Sequence, residues 1–379
     1  MKIILSVAVI FYTASALSQF EIGHTAISFY DSSRDRDVTT EIYYPSESTG
    51  DDVVMSNGTF PLIVFGHGFV MPWSDYENIW THLVEQGYVM AFATTEGGFF
   101  PNHENFGLDL AFIVEAMMDE SINGTSIFYN HLNDKQAIMG HSMGGGASWL
   151  AASGNDEIET IVGLAPAETS PSAISAANDV IVPALLLSGS ADAVTPSANH
   201  HTPIYENTAS DCKAFVNIID GGHCGYADDG TLCDIGEIGF SGMSREVQQE
   251  ITHELLSLWF GYYLKNVSEN LAEFENYFDN SVDTELTSNC SFVSVVQTPT
   301  SSIWEEIRPN PALEYVQVNN NESSFLTIIN STGIESFVFA LDLHDKVSVL
   351  DISRLPSGVY FARWDNPKIE TRKLIVLDY

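Results

Sequence analysis

The sequence predicts an α/β fold, a mostly parallel sheet with helices on both faces, followed by a small antiparallel β-sandwich. Three observations carry that prediction. From Pro61 onward, short wholly apolar runs alternate with longer amphipathic stretches, the pattern of strands buried on both faces and joined by helices. Near Val295 the texture changes to a Thr/Ser/Pro-containing stretch, 295–302, that reads as a linker. Beyond it only short β segments follow, and 379 residues suffice for one large core plus a second small domain.

The elements follow in order. The segment before Pro61 contains a strand near Thr40 to Tyr43 and reads as an antiparallel edge. Leu62 to Phe65 is a buried strand, Tyr76 to Glu85 a helix, Tyr88 to Thr94 a strand and Leu108 to Met118 a helix. The strand Gln136 to Met139 leads into a helix from Met143 to Ala152. Strands Ile158 to Leu164, Ala184 to Leu187 and Lys213 to Ile219 come next, and a helix near Val247 to Leu264 closes the domain. In the tail, Tyr315 to Val318, Phe325 to Ile329, Ser336 to Ala340, Val359 to Trp364 and Lys373 to Leu377 are the strands of the sandwich. The organisation expected is therefore a leader, 1–18, a catalytic domain, 19–294, the linker, 295–302, and a C-terminal domain, 303–379.

The leader is Met1-Lys2, the apolar run Ile3 to Ala14 and the small-residue site Ala16-Leu17-Ser18, with cleavage before Gln19. That run is shorter than the roughly 20 apolar residues a spanning helix needs, so export without an integral membrane span is expected. Fourteen Lys plus Arg stand against 51 Asp plus Glu, a formal net charge of -37. A polyanion repels nucleic acid and anionic lipid before contact forms, which excludes both as partners. The acids Asp228, Asp229 and Asp234 would suit calcium by charge but lack EF-hand spacing, and no metal or organic cofactor is expected.

Four cysteines in an exported chain imply two disulfides. Cys212 and Cys224 flank a strand that holds them about 20 Å or more apart, too far for a bridge. Cys224–Cys233 closes a loop, leaving Cys212–Cys290 by elimination.

The chemistry centres on Gly140-His141-Ser142-Met143-Gly144, set between a strand and a helix. That context makes Ser142 the serine of a nucleophile elbow and the fold an α/β-hydrolase. A serine hydroxyl needs a base, and the base an orienting acid, in the chain order Ser, Asp or Glu, His. Asp192, just past a strand, is the acid, with Asp179, Asp211 and Asp220 as alternatives. Of the later histidines only His223 sits in a glycine-rich loop directly after the next strand. His253 lies on an amphipathic helix, His344 in the second domain, and His200 and His201 lack a matching ligand string. The N–H of Met143 and, from Gly66-His67-Gly68-Phe69, that of Phe69 are the candidate oxyanion donors. His67 itself is assigned to ordering that loop.

Together these residues resemble the bacterial cutinase-like polyester hydrolases, poly(ethylene terephthalate) hydrolases included, and their chlorophyllase-like and dienelactone-hydrolase-like relatives. The resemblance runs from about Phe60 to Cys233. It also draws on Val182-Pro183-Ala184-Leu185-Leu186-Leu187 ahead of Asp192 and on Pro203-Ile204-Tyr205 ahead of Gly221-Gly222-His223-Cys224. It implies Ser142, Asp192 and His223 as the triad, and Phe69, Met143, Trp73 and Val194 as substrate contacts. Where those enzymes carry a tryptophan beside the cleft, Leu164-Ala165-Pro166-Ala167-Glu168 has no aromatic; Phe69, Trp73, Phe99 and Phe100 are the aromatic residues left to compensate.

The tail resembles the type A sorting domain of type IX secretion found in Bacteroidetes, through Pro309-Asn310-Pro311-Ala312, Asp351 to Tyr360 and Lys373 to Leu377. That resemblance implies passage across the outer membrane through the type IX machinery. The function expected is a secreted, monomeric serine hydrolase of carboxylic esters or polyesters. A chlorophyllase- or lipase-like esterase, a serine peptidase and a surface adhesin with a degenerate hydrolase fold are the alternatives.

Overall fold

The computed structural model describes residues 20–290 apart from 156 and 231, and in the tail 307–308, 315–319, 325–330, 335–341, 347–356, 358–364 and 372–376. The leader, the linker and His344 lie outside the described residues. The chain divides into two compact units, 1–294 and 295–379.

The first unit is built on one ten-stranded sheet. Its N-terminal part comprises β1 (Glu21–Asp31), β2 (Arg36–Ser46) and the short β3 (Gly50–Asp51). The central strands are β4 (Phe60–Gly66), β5 (Val89–Ala93), β6 (Leu132–His141), β7 (Thr160–Leu164), β8 (Ala184–Gly189) and β9 (Lys213–Ile218), and β10 (Thr284–Ser288) is last. The spatial order is β10-β9-β8-β7-β6-β4-β5-β2-β1-β3. Every pairing among β4 to β9 is parallel, while β2 meets β5 and β10 meets β9 antiparallel.

Helices cover both faces. On one lie α2 (His103–Ile122), α3 (Met143–Ala152), α4 (Ala173–Ala176) and α5 (His201–Asn207). The other carries α1 (Glu77–Glu85), α6 (Arg245–Lys265) and α7 (Glu269–Asn280). Strand β4 shows why its sequence is apolar without alternation. Leu62 and Val64 enter the core under α2 and α3, Ile63 and Phe65 the core under α1 and α6, and all four are fully buried.

The segment before Pro61 lies at one edge of the sheet and joins it antiparallel, as expected, with β2 paired to β5 and β1 to β2 along its whole length. One expectation needs correction. The helix near Val247 to Leu264 does not close the unit, since α7 and β10 follow and β10 adds an antiparallel strand beside β9. Strand β10 is polar and half-exposed, so it carries little of the apolar periodicity that marks a buried strand, whereas α7 turns Phe274, Tyr277 and Phe278 to the core at helical spacing. Disulfides join Cys212 to Cys290 across β9 and β10, and Cys224 to Cys233 within one loop.

In the second unit the described strands form two antiparallel sheets. One contains β11 (Ile307–Arg308), β12 (Tyr315–Asn319) and β15 (Val347–Asp351). The other is ordered β14-β13-β16-β17, with β13 at Phe325–Asn330, β14 at Glu335–Ala340, β16 at Gly358–Trp364 and β17 at Arg372–Val376. Val316, Val318, Leu326, Ile328, Leu350 and Leu374 form their shared core.

Candidate active site

In the parallel sheet, the carboxyl ends of β4, β6, β8 and β9 deliver four loops to one edge, where such folds bind ligands. The loop after β6 is a single residue. Ser142 adopts φ +54° and ψ −118°, a conformation a non-glycine residue holds only where its surroundings enforce it. Its N–H donates to the Leu164 carbonyl and its carbonyl accepts from Gly146 and Ala167. A Cβ on Gly144 would stand 2.0 Å from the Gly66 carbonyl oxygen, so α3 seats against the end of β4 only through glycine.

Beside this turn the side chains form a connected line. Ser142 Oγ lies 2.9 Å from His223 Nε2, and His223 Nδ1 lies 2.8 Å from Asp192 Oδ2. All three residues are buried. Asp192 Oδ1 accepts the N–H groups of Val194 and Thr195 at 2.8 and 2.7 Å, and Thr195 Oγ1 donates to Oδ2 at 2.8 Å. Burial pushes the Asp192 pKa up, but the hydrogen bond and charge of His223 and the Thr195 N–H outweigh it and hold the carboxyl well below the usual range. Asp192 is therefore an anion that accepts the Nδ1 proton, leaving Nε2 to accept the serine proton. Asp179, Asp211 and Asp220 make no hydrogen bond to His223.

The His223 loop is clamped from outside. Glu237 accepts the His223 and Cys224 N–H groups at 2.6 and 2.8 Å, and the Gln248 amide pairs with both N–H and carbonyl of Gly222 at 2.8 and 2.9 Å. The Cys224–Cys233 disulfide closes the same loop.

Phe69 and Met143 line a cleft of ≈ 380 Å³ over Ser142, with Pro101, His103, Ala167 and Glu168 on its walls. Neither the Phe69 nor the Met143 N–H is taken up by another described residue, so both are available as donors. Phe69 is half-exposed. Larger hollows of ≈ 620, ≈ 520 and ≈ 420 Å³ lie elsewhere and contain no part of this line.

Trp73 and Val194 are not among the cleft walls. Trp73 donates its indole N–H to Tyr43 Oη at 3.1 Å, in a 3₁₀ turn ahead of α1, and the Val194 segment wraps Asp192. Phe99 and Phe100 are strongly exposed next to Pro101. His67 is buried with its ring between the Gly68 and Thr95 carbonyls, 2.8 and 2.9 Å away, and so braces its loop. His253 stacks on His82, and His200 Nδ1 accepts the Glu168 N–H.

Two of the three acids considered for calcium are engaged by the protein, and Asp229 is exposed. Asp228 accepts the Glu77 and Asn78 N–H groups at the start of α1, and Asp234 pairs with Arg245 and accepts the Gly230 N–H.

His201, set aside in the sequence, is buried behind the acid. Its Nδ1 is 2.7 Å from Ser188 Oγ and its Nε2 is 3.0 Å from Thr195 Oγ1. Burial pulls its pKa down to about 4, so the ring is neutral, accepting from Ser188 and donating to Thr195. Thr195 could have been found as the i+3 partner of a turn-forming Asp. His201 could not, because its burial depends on the short helix α5.

The model of the PET hydrolase-like family matches residues 15–256, more than half of the chain. The chain belongs to the PET hydrolase-like family. A bis(hydroxyethyl) terephthalate hydrolase of Streptomyces coelicolor is 24% identical to it over 214 residues, 56% of this chain and 63% of that protein. A cutinase of Thermobifida alba is 25% identical over 216 residues, 55% of this chain and 65% of its own length. A cutinase of Thermobifida fusca is 29% identical over 110 residues, 28% of this chain and 35% of that one. The matched stretch thus spans less than two thirds of these relatives. Residues 306–377 match the secretion system C-terminal sorting domain, which makes this PET hydrolase-like chain a secreted or cell-surface protein. No helix among the described residues is long and apolar enough to cross a membrane.

Proposed function

We propose that the chain is a secreted serine hydrolase of carboxylic esters, with aromatic diesters and polyesters of the terephthalate type among its substrates. The observation that carries the proposal is the unbroken line Ser142 Oγ, His223 Nε2, His223 Nδ1, Asp192 Oδ2 at 2.9 and 2.8 Å. His223 takes the Ser142 proton as Oγ attacks the ester carbonyl, while Asp192 holds the imidazole and stabilises its charged form. The N–H groups of Phe69 and Met143 receive the oxyanion. His223 then protonates the leaving alcohol, and water cleaves the acyl-enzyme by the same route in reverse. Family membership supports an ester substrate, and the name of the Streptomyces coelicolor relative supports a terephthalate ester.

Within the cleft Ala167 and Glu168 stand where a flat aromatic wall would otherwise stack, so Phe69 is the aromatic surface that meets the acyl group. The sorting domain delivers the enzyme to the outside of the cell through the type IX machinery, after removal of the leader 1–18.

Ser142→Ala is expected to lower hydrolysis of p-nitrophenyl butyrate and of bis(hydroxyethyl) terephthalate by ~10⁴-fold or more and to abolish fluorophosphonate labelling. Wild-type turnover by that variant would overturn the proposal.

A further inference from the structure

Behind the triad lies a second buried chain of hydrogen bonds that touches three of the four loops at this edge of the sheet, those after β4, β6 and β9. Tyr76, at the end of the 3₁₀ turn that precedes α1, is fully buried. Its hydroxyl oxygen accepts the Gly68 N–H at 2.8 Å and lies 2.9 Å from His141 Nδ1, with the Met71 sulfur 3.4 Å away. His141 Nε2 in turn lies 3.0 Å from the backbone carbonyl of His223. A carbonyl only accepts, so Nε2 carries the proton and Nδ1 must accept the tyrosine proton. One direction of donation therefore runs through the whole chain, from Gly68 N–H into Tyr76 and from Tyr76 into His141. His141 passes it on to His223.

Each end of this chain is one residue from chemistry, or is the chemistry. Gly68 precedes Phe69, His141 precedes Ser142, and the last acceptor belongs to His223 itself. The geometry points to Tyr76 and His141 as a strut that sets the oxyanion donor of Phe69, the elbow at Ser142 and the imidazole of His223 in mutual register. They are positioning residues, since neither lines the cleft. A Cβ on Gly68 would lie 3.1 Å from Tyr76 Oη and 3.3 Å from His141 Nδ1, which shows how closely the loop sits on the strut. Burial drives the His141 pKa well below its ordinary value, with the His223 charge acting in the same sense, so the ring stays neutral through turnover and cannot compete with His223 for the serine proton.

The strut rests on the triad reading proposed above, and the experiment separates the two. Tyr76→Phe removes one oxygen and keeps the ring. It is expected to lower kcat for p-nitrophenyl butyrate by roughly tenfold to a hundredfold with KM within about twofold, and to slow fluorophosphonate inactivation in proportion. Tyr44→Phe is the control. It loses a buried hydroxyl bond to the Val53 carbonyl at 2.8 Å, inside a strand remote in the sheet from the triad, and should lower the melting temperature while leaving kcat unchanged. Wild-type kcat in folded Tyr76→Phe, or an equal loss of kcat in Tyr44→Phe, would overturn the strut. If Tyr76→Phe does not fold, His141→Asn serves instead. Its amide replaces Nδ1 but cannot reach the His223 carbonyl, and wild-type kcat in that variant would likewise overturn it. Undiminished turnover in Ser142→Ala would instead sink the triad reading.

Discussion

Thr195 carries more of the site than its position in the sequence indicates. Its hydroxyl donates to Asp192 Oδ2, lies 2.8 Å from His223 Nδ1 and accepts from His201 Nε2 at 3.0 Å. Thr195→Val keeps the shape and removes all three contacts. The His201 N–H loses one acceptor and keeps the Ala165 carbonyl, a cost of about 1 kcal/mol. Asp192 loses one of its donors but keeps two N–H bonds, so kcat should fall by only about tenfold, far less than in Ser142→Ala. Thermal denaturation and steady-state kinetics on the purified variant check both halves. At this scale the triad was legible because serine, acid and histidine obey a chain order. His201 and the partnership of Tyr76 with His141 were not, because a hydrogen bond between side chains far apart in sequence leaves no periodicity or motif, whereas Thr195, three residues after Asp192, carries a local turn signal.

At the scale of elements, the site depends on how closely α3 approaches the sheet. Glycine at 144 is required by the Gly66 carbonyl, which a Cβ would meet at 2.0 Å, and that contact is to backbone rather than to a side chain able to swing away. Gly144→Ala is expected to cost about 3 kcal/mol and to shift the elbow away from the Phe69 loop, with activity lost in the same variant. Gly124, whose Cβ would meet nothing within 4 Å, supplies the contrast. Gly124→Ala should change the denaturant midpoint by less than about 0.5 kcal/mol equivalent. Helix α3 was legible end to end, Met143 to Ala152, because strand, elbow and helix follow one another without a loop. Strands β1 and β10 were less legible, being half-exposed and mixed in polarity, so that their place came from pairing partners rather than pattern.

The whole molecule combines a formal net charge of -37 with an interior that holds several histidines neutral. Burial lowers the pKa of His141, His67 and His82, and brings His201 and His253 to about 4, with His82 contributing at His253. In the unfolded chain these rings protonate near 6.5. Their stabilising effect is therefore complete above about pH 6.5 and is lost as pH falls below it, toward about 4 for His201 and His253, because the unfolded state binds more protons in that window. His201 alone accounts for on the order of 3 kcal/mol across it. The melting temperature should drop from pH 7 to pH 4.5, measured in high salt so that screening of the acidic surface stays constant, and His201→Gln should make that drop shallower. A melting temperature unchanged over this interval would refute the account.

The sequence by itself determined the α/β class, the strand-elbow-helix at Ser142, the order of Asp192 and His223 after it, and the likeness of the tail to a sorting domain. These are written in local patterns, since burial on two faces makes a strand uniformly apolar and a strained turn demands small neighbours. Only the tertiary structure decided which aromatic residues reach the cleft, sending Trp73 to Tyr43 and leaving Phe69 over Ser142. It also decided that His201 backs the acid and that Tyr76 and His141 tie three loops together. Those outcomes depend on which carboxyl ends of the sheet become neighbours, and the strand order β9-β8-β7-β6-β4 that sets this is a property of the closed fold.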